Sequence, residues 1–238
     1  MDPLAPIGVF DSGIGGLTVA HEINKALPQE KIIYFGDTQH LPYGNKSSKK
    51  INFYSEKIAD FLLKHRCKAI VIACNSASSM AMRTLAKKTQ NQCILFNVID
   101  PVIHSVVRDQ SIKKVGVIGT SATINSNIYE TNIRRKRPDI KVVSLATPLL
   151  ASLIEENNNQ LYENGIIETY LQYSQFNNID ALILGCTHYP LIKSKISNYY
   201  NNKLALLSVL EYIGEEVKKK LKNAHLLRKH KQPPKHHF

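Results

Sequence analysis

Short apolar runs recur along the chain and alternate with stretches of helical spacing. Residues 7–10, 32–35, 69–73, 93–98, 115–119, 140–145 and 181–184 are mostly apolar, and residues 203–208 are a weaker run of the same kind. Continuous apolar runs of this length, bounded by turn residues, predict strands buried on both faces. Between them, Leu17, Ala20, Ile23 and Leu27, then Ile51, Tyr54, Ile58, Phe61 and Leu62 within residues 48–65, keep the spacing of an amphipathic helix. Ala77, Ala81, Met82 and Leu85 predict a helix leaving the loop after the third run. Further helices are predicted from near Thr123, over residues 161–176 after a break at Asn157, Asn158 and Asn159, from Tyr189-Pro190, and over residues 209–221. Asp100-Pro101 and Thr147-Pro148 each place a capping side chain before a proline suited to a first helical turn, the second ahead of a helix carrying Glu155. Strand and helix alternate throughout, which predicts an α/β chain built on parallel sheet.

The pattern occurs twice. One buried run ends in Ala73-Cys74-Asn75-Ser76, and another, 112 positions on, in Gly185-Cys186-Thr187-His188. Ile7-Gly8-Val9-Phe10-Asp11-Ser12-Gly13 lines up with Val115-Gly116-Val117-Ile118-Gly119-Thr120-Ser121 at an offset of 108. Two matches at nearly one spacing predict two similar α/β halves, with the boundary near residues 98–101. If the halves face each other, each offers one cysteine to a shared cleft, at the strand ends where open α/β sheets bind ligands.

The bulk composition narrows the classes. The chain has 238 residues and 43% hydrophobic content, enough for a sizeable core. It has no apolar run of the ~18 residues that a membrane helix needs. The start, Met1-Asp2-Pro3-Leu4, has no basic segment or long apolar stretch, so no signal peptide is expected. Four cysteines without CxxC spacing then predict reduced thiols in the cytoplasm. The net charge of +12 is concentrated: residues 217–238 hold eight Lys or Arg and no acid, and Arg134, Arg135, Lys136 and Arg137 form a smaller cluster. Nucleic-acid binding is disfavoured, because no aromatic residue stands among the tail's basic positions before Phe238. The tail is expected to be a solvated helix end running into disordered chain.

Cys67 and Cys93 fall at a strand entry or within a strand and are expected to pack as small hydrophobes. Cys74 and Cys186 stand at strand ends beside polar groups, and a helix N-terminus after Cys74 should favour its thiolate. Four chemistries suit such a pair: a redox couple, a metal site completed by His188 and an acid, a Cys74 nucleophile with His188 as base, or two-base proton transfer. In the last, one thiolate removes a proton from a carbon and the opposite thiol returns one to the other face. Only that chemistry uses the apparent two-fold symmetry. Asp11 could accept from an ammonium, and Ser12, Asn75, Ser76, Thr120, Thr123 and Thr187 could hold carboxylates, although Ser and Thr after strands are commonly helix caps. Gly13-x-Gly15-Gly16 is not the GxGxxG dinucleotide pattern. No lysine sits in a context that suggests a pyridoxal Schiff base.

These residues together resemble glutamate racemase, of the cofactor-independent aspartate/glutamate racemase family. The resemblance rests on Phe10-Asp11-Ser12-Gly13-Ile14-Gly15-Gly16-Leu17-Thr18-Val19, Gly36-Asp37-Thr38 with Pro42-Tyr43-Gly44, Ala73-Cys74-Asn75-Ser76-Ala77-Ser78, Gly119-Thr120 with Thr123, and Leu184-Gly185-Cys186-Thr187-His188-Tyr189-Pro190. It implies two flavodoxin-like parallel-sheet domains related by pseudo-two-fold symmetry, with the site between them. Residues 1–98 and 208–238 would form the first and residues 99–207 the second. It implies L- and D-glutamate as substrates, supply of D-glutamate to bacterial peptidoglycan, a cytoplasmic setting, no cofactor and no metal. A homodimer is compatible with it. Cys74 would act on the D enantiomer and Cys186 on the L enantiomer, assisted by Asp11, Glu155 and His188. Ser12, Tyr43 and Gly44 would hold the side-chain carboxylate. Asn75, Ser76, Thr123 and Thr187 would surround the α-carboxylate and ammonium, and Asp11, Pro42, Thr120 and His188 are further expected substrate contacts. Ser76 stands where the family usually has Thr, and Leu206-Leu207-Ser208-Val209-Leu210 replaces a more polar turn. The alternatives are an aspartate racemase using the same thiols, and a basic-tailed binder of nucleic acid or anionic surfaces.

Overall fold

The structure is a computed structural model and describes residues 1–156, 160–229 and 234–237. The asparagine run at 157–159 and the terminal Phe238 lie outside the described residues.

The first half contains β1 (Ile7–Asp11), α1 (Leu17–Ala26), β2 (Ile32–Gly36), α2 (Ser48–Lys64), β3 (Ala69–Ile72), α3 (Asn75–Thr89) and β4 (Ile94–Asn97). α4 (Asp100–Arg108) then leads to β5 (Lys114–Gly119). The second half continues with α5 (Ser121–Asn125), α6 (Ile128–Lys136), β6 (Lys141–Ala146), α7 (Leu150–Glu156), α8 (Gln160–Leu171), β7 (Ala181–Gly185), α9 (Lys193–Tyr199) and β8 (Ala205–Leu207), and α10 (Ile213–Asn223) follows. The strands form two four-stranded sheets, ordered β2-β1-β3-β4 and β6-β5-β7-β8. Every pairing between them is parallel. The second order is the first with each strand replaced by its counterpart, so the two-fold repeat of the sequence is a two-fold repeat of topology.

That topology places the chemistry. In each sheet the chain runs from its first strand outward to the second, then jumps back to the other side of the first. The carboxyl ends of β1 and β3, and of β5 and β7, therefore diverge at a switch point where no loop crosses, and a crevice opens there. Asp11 ends β1, Cys74 follows β3, Thr120 follows β5 and Cys186 follows β7.

The core is not split at the boundary. One apolar cluster joins Ile7, Val9 and Val71 of the first sheet to Val115, Val117 and Ile183 of the second through Val102, Ile103 and Val106 of α4. The last helix returns to the first half: Val217 and Leu221 of α10 join this cluster beside Val19 and Ile23 of α1. The leucine-rich segment that departs from the family pattern still forms β8. Ser208 and Glu211 then make a reciprocal capping box that turns the chain toward α10.

Three expectations change. Asp100 does not cap α4. The Asn97 side chain does, its Oδ1 accepting from the N–H groups of Ile99 and Asp100 at 2.9 Å each. Thr147 does not cap α7 either, because its hydroxyl turns inward to the Gly119 carbonyl (3.1 Å) and the Tyr189 hydroxyl (2.6 Å). The tail is ordered where it is described. His237 N–H donates to the Ile32 carbonyl at 3.0 Å, and its own carbonyl accepts from Tyr34 N–H at 2.8 Å. β2 is an edge strand, and an edge presents unpaired main-chain groups that a passing segment can satisfy. Part of the basic cluster is neutralised as well: Arg134 pairs with Glu130 and Arg137 with Asp139. No helix among the described residues is long and apolar enough to cross a membrane.

Candidate active site

Strand ends of both sheets and the loops after them converge on one small cavity of about 40 Å³. Ser12, Pro42, Tyr43, Gly44, Cys74, Asn75 and Ser76 line it from the first half, and Thr120, Glu155, Cys186, Thr187 and His188 from the second. Larger hollows exist, including a groove of about 510 Å³ between α4 and α10. That groove contains none of the strand-end groups, so the chemistry is assigned by residue type and not by volume.

On the first half, Cys74 is the N-cap of α3, and its Sγ accepts from the Ala77 N–H at 3.5 Å. The Ser12 hydroxyl lies 3.6 Å from the same sulfur. Asp11 is fully buried behind this pair. Its Oδ2 accepts from Gly13 N–H at 3.1 Å, and its Oδ1 has no partner among the described residues. Burial pushes the Asp11 carboxyl up, and the charge of His188 opposes that. Asn75 Oδ1 accepts from the hydroxyl of Tyr129, on α6 of the other half, at 2.9 Å.

On the second half, Cys186 Sγ lies 3.6 Å from His188 Nδ1, and His188 Nε2 lies 2.8 Å from Glu155 Oε1 on α7. A carboxylate can only accept, so Nε2 carries the hydrogen in this contact, and in the neutral ring the lone pair of Nδ1 faces the sulfur. The two thiols share a cavity but not a mechanism of support. Cys186 has an imidazole, whereas Cys74 has a hydroxyl, a main-chain N–H and a buried acid.

The halves touch closely where glycine allows it. A Cβ on Gly15 would lie 2.5 Å from His188 Cε1 and 2.7 Å from Thr187 Oγ1, and one on Gly44 would lie 2.7 Å from Thr120 Cβ. Ser76 Oγ and Thr120 Oγ1 meet across the cleft at 2.8 Å. Thr120 also caps α5 through the Thr123 N–H, which places Thr123 behind Thr120 and off the cavity wall. Asp11 likewise lies behind the wall. Tyr43 lines the cavity, but its hydroxyl is committed to Asp37 Oδ2 at 2.6 Å, which leaves the main chain of Tyr43 and Gly44 to face an occupant. Asp37 also meets His40 Nδ1 at 2.8 Å through its other oxygen. Asp37 belongs to the Gly36-Asp37-Thr38 motif, and nothing in its spacing marks it as the brace of this loop. Leu41, Ala151 and Ser152 also line the cavity, and no local pattern singles them out.

The thiol acidity differs from the expectation of a favoured thiolate. Burial, then the charge of Asp11, pushes the Cys74 thiol up to about 12 despite the Ala77 N–H and Ser12. Burial pushes Cys186 up further, against the His188 N–H. Desolvation of an anion outweighs one helix end here. Both sulfurs therefore rest as neutral thiols near pH 7, and a raised pKa means the proton is lost only as pH climbs. A reaction that starts from one thiolate is expected to show kcat/KM rising from pH 6.5 to 8.5, by at most about tenfold per unit. A profile flat over that range would contradict neutral resting thiols.

Among the described residues no group of three or more His, Cys, Asp or Glu is placed to hold a metal ion. The chain matches a family described as Asp/Glu/Hydantoin racemase over residues 7–210. It is 40% identical over 238 residues to a glutamate racemase of Geobacter metallireducens, covering 99% of this chain and 87% of that one. It is 41% identical over 235 residues to a glutamate racemase of Neisseria meningitidis, covering 98% and 86%. The crystal structure of glutamate racemase from Francisella tularensis in complex with D-glutamate superposes with a TM-score of 0.91 at 38% identity, covering 98% of this chain and 87% of that one.

Proposed function

The chain belongs to the Asp/Glu/hydantoin racemase family, and on that premise we propose that it interconverts L- and D-glutamate by proton transfer at Cα between Cys74 and Cys186. The observation that carries this reading is that two thiols at topologically equivalent strand ends line one cavity from opposite halves. The thiolate of one cysteine takes the Cα proton and becomes a thiol. The electron pair left on Cα spreads into the α-carboxylate. The opposite thiol then delivers its proton to the other face and is left as the thiolate. Over one turnover the substrate is inverted and the two sulfurs exchange protonation states, so atoms and charge balance without a co-reactant.

Cys74 serves the D enantiomer and Cys186 the L enantiomer. His188, oriented by Glu155, receives the Cys186 proton through Nδ1. On the other side Asp11 and Ser12 support Cys74, and the substrate ammonium lowers the pKa of whichever thiol it approaches, as an opposite charge does. Ser12, Pro42 and the main chain of Tyr43 and Gly44 hold the side-chain carboxylate. Asn75, Ser76, Thr120 and Thr187 hold the amino-acid end, with Thr123 acting through Thr120. Residues 1–98 with 208–238 make one domain and residues 99–207 the other, and the cavity lined from both halves is the substrate site. Four free thiols suit a reducing compartment, and we place the enzyme in the cytoplasm, making D-glutamate for peptidoglycan.

The test follows optical activity of L-glutamate and L-aspartate by circular dichroism. Loss of signal with glutamate and persistence with aspartate is expected. The reverse result assigns the protein to aspartate, and no loss with either amino acid rejects the racemase reading.

A further inference from the structure

We propose that Tyr34 is a positioning residue for the Cys74 side of the reaction, holding the loop that carries Asp11 and Ser12. The inference rests on the racemase reading above. Tyr34 lies on β2, buried, and touches none of the atoms that react. Its hydroxyl donates to the Gly13 carbonyl at 2.7 Å. A Cβ on Gly16 would lie 2.9 Å from that hydroxyl, so the loop closes around the phenol at both ends of its glycine turn. From Gly13 the chain of contacts to the sulfur is short: Gly13 N–H donates to Asp11 Oδ2, and the preceding Ser12 hydroxyl lies 3.6 Å from Cys74 Sγ. The main chain of Tyr34 is itself held, since its N–H donates to the His237 carbonyl at 2.8 Å.

The donor is permanent. Burial, and after it the charge of Asp11, push the phenol up beyond the ordinary tyrosine range, so the hydroxyl keeps its proton through the working pH. Cys186 is held from its own half, by His188 and by Glu155 on α7, and the loop meets that side only by packing of Gly13 and Gly15, with the Tyr34 hydroxyl outside it. Loss of the Tyr34 hydroxyl therefore disturbs one thiol more than the other. That asymmetry separates positioning from a general loss of packing.

The experiment uses Tyr34→Phe in the full chain, which keeps the ring and removes the oxygen. kcat/KM is expected to fall about fivefold to tenfold, and equally in both directions because the equilibrium between enantiomers is unchanged. The deciding readout is the primary deuterium isotope effect with substrate deuterated at Cα. With D-glutamate, abstraction by Cys74 becomes more rate-limiting and the isotope effect rises. With L-glutamate, delivery from Cys74 slows after abstraction by Cys186, the intermediate returns more often, and the isotope effect falls. Isotope effects are ratios, so they do not depend on the fraction of the variant that is folded. Unchanged kcat/KM, or isotope effects that both stay put or move together, overturns the proposal. A wild-type protein that does not racemise glutamate overturns the racemase reading instead.

Discussion

Changing Cys74 to alanine is expected to lower glutamate racemisation by about 10³-fold or more, and changing Cys186 to alanine by a similar factor. The two effects are alike because each turnover needs both sulfurs, one to take a proton and one to give it. Alanine cannot do either, and no other ionisable side chain among the wall residues stands where the lost sulfur stood. His188 touches Cys186 at 3.6 Å, and Asp11 lies behind the wall. The variants differ in what they retain. With Cys74 gone, Cys186 can still remove the proton from the enantiomer it faces and return one to the same side. In deuterated water this predicts slow label uptake into L-glutamate without inversion, and none into D-glutamate. The Cys186 variant should show the opposite preference. The measurement is circular dichroism for inversion and proton NMR for label. Wild-type racemisation by either single variant would sink the two-base assignment.

The second large effect lies far from the cleft. Lys68→Met is expected to destabilise the fold by about 3–5 kcal/mol, the cost of breaking a buried ion pair from one side. The Lys68 side chain has no exposure and that of Glu30 has 2%. Lys68 Nζ donates to Glu30 Oε2 at 2.5 Å, to the Pro3 carbonyl at 2.6 Å and to the Leu226 carbonyl at 2.8 Å. The other Glu30 oxygen accepts from Arg228 N–H at 2.8 Å. One ammonium thus ties the N-terminal segment, the α1–β2 loop, the entry to β3 and the chain after α10. Methionine fills the space but leaves a buried carboxylate and two carbonyls without their donor. The melting temperature should drop by roughly 6–20 °C, taking about 2–4 °C per kcal/mol for a chain of this size. Adding Glu30→Gln to Lys68→Met should recover part of the loss, because the orphaned charge is removed. A Lys68→Met protein melting within about 2 °C of wild type would show that the pair contributes little.

Much of the architecture is legible in the residues. The run at 181–184 becomes β7, and the helical spacing within 48–65 becomes α2 with its end moved by one residue. A weak run at 203–208 becomes the short β8. Such patterns are read from a few neighbours, and the repeat of the cysteine-bearing strand ends locates the paired thiols. Reading fails where a side chain has a choice of partners. Asp100 looked like a cap, but Asn97 reaches the same N–H groups from the end of β4. The composition of the basic tail predicts a solvated segment, yet His237 pairs with the open edge of β2. Nothing in the residues around Lys68 marks it as the partner of Glu30, 38 positions away.

Period and repetition within the chain alone specified two parallel α/β halves, each with a cysteine at the end of a buried strand, because these depend on residues close in sequence. The closure of Gly15 and Gly44 against the opposite half, the neutral resting thiols, the Tyr34 grip on its loop and the Lys68 clamp were decided by the tertiary structure. Each depends on how completely water is removed from a group and on which distant partner replaces it, and neither quantity is set by local spacing.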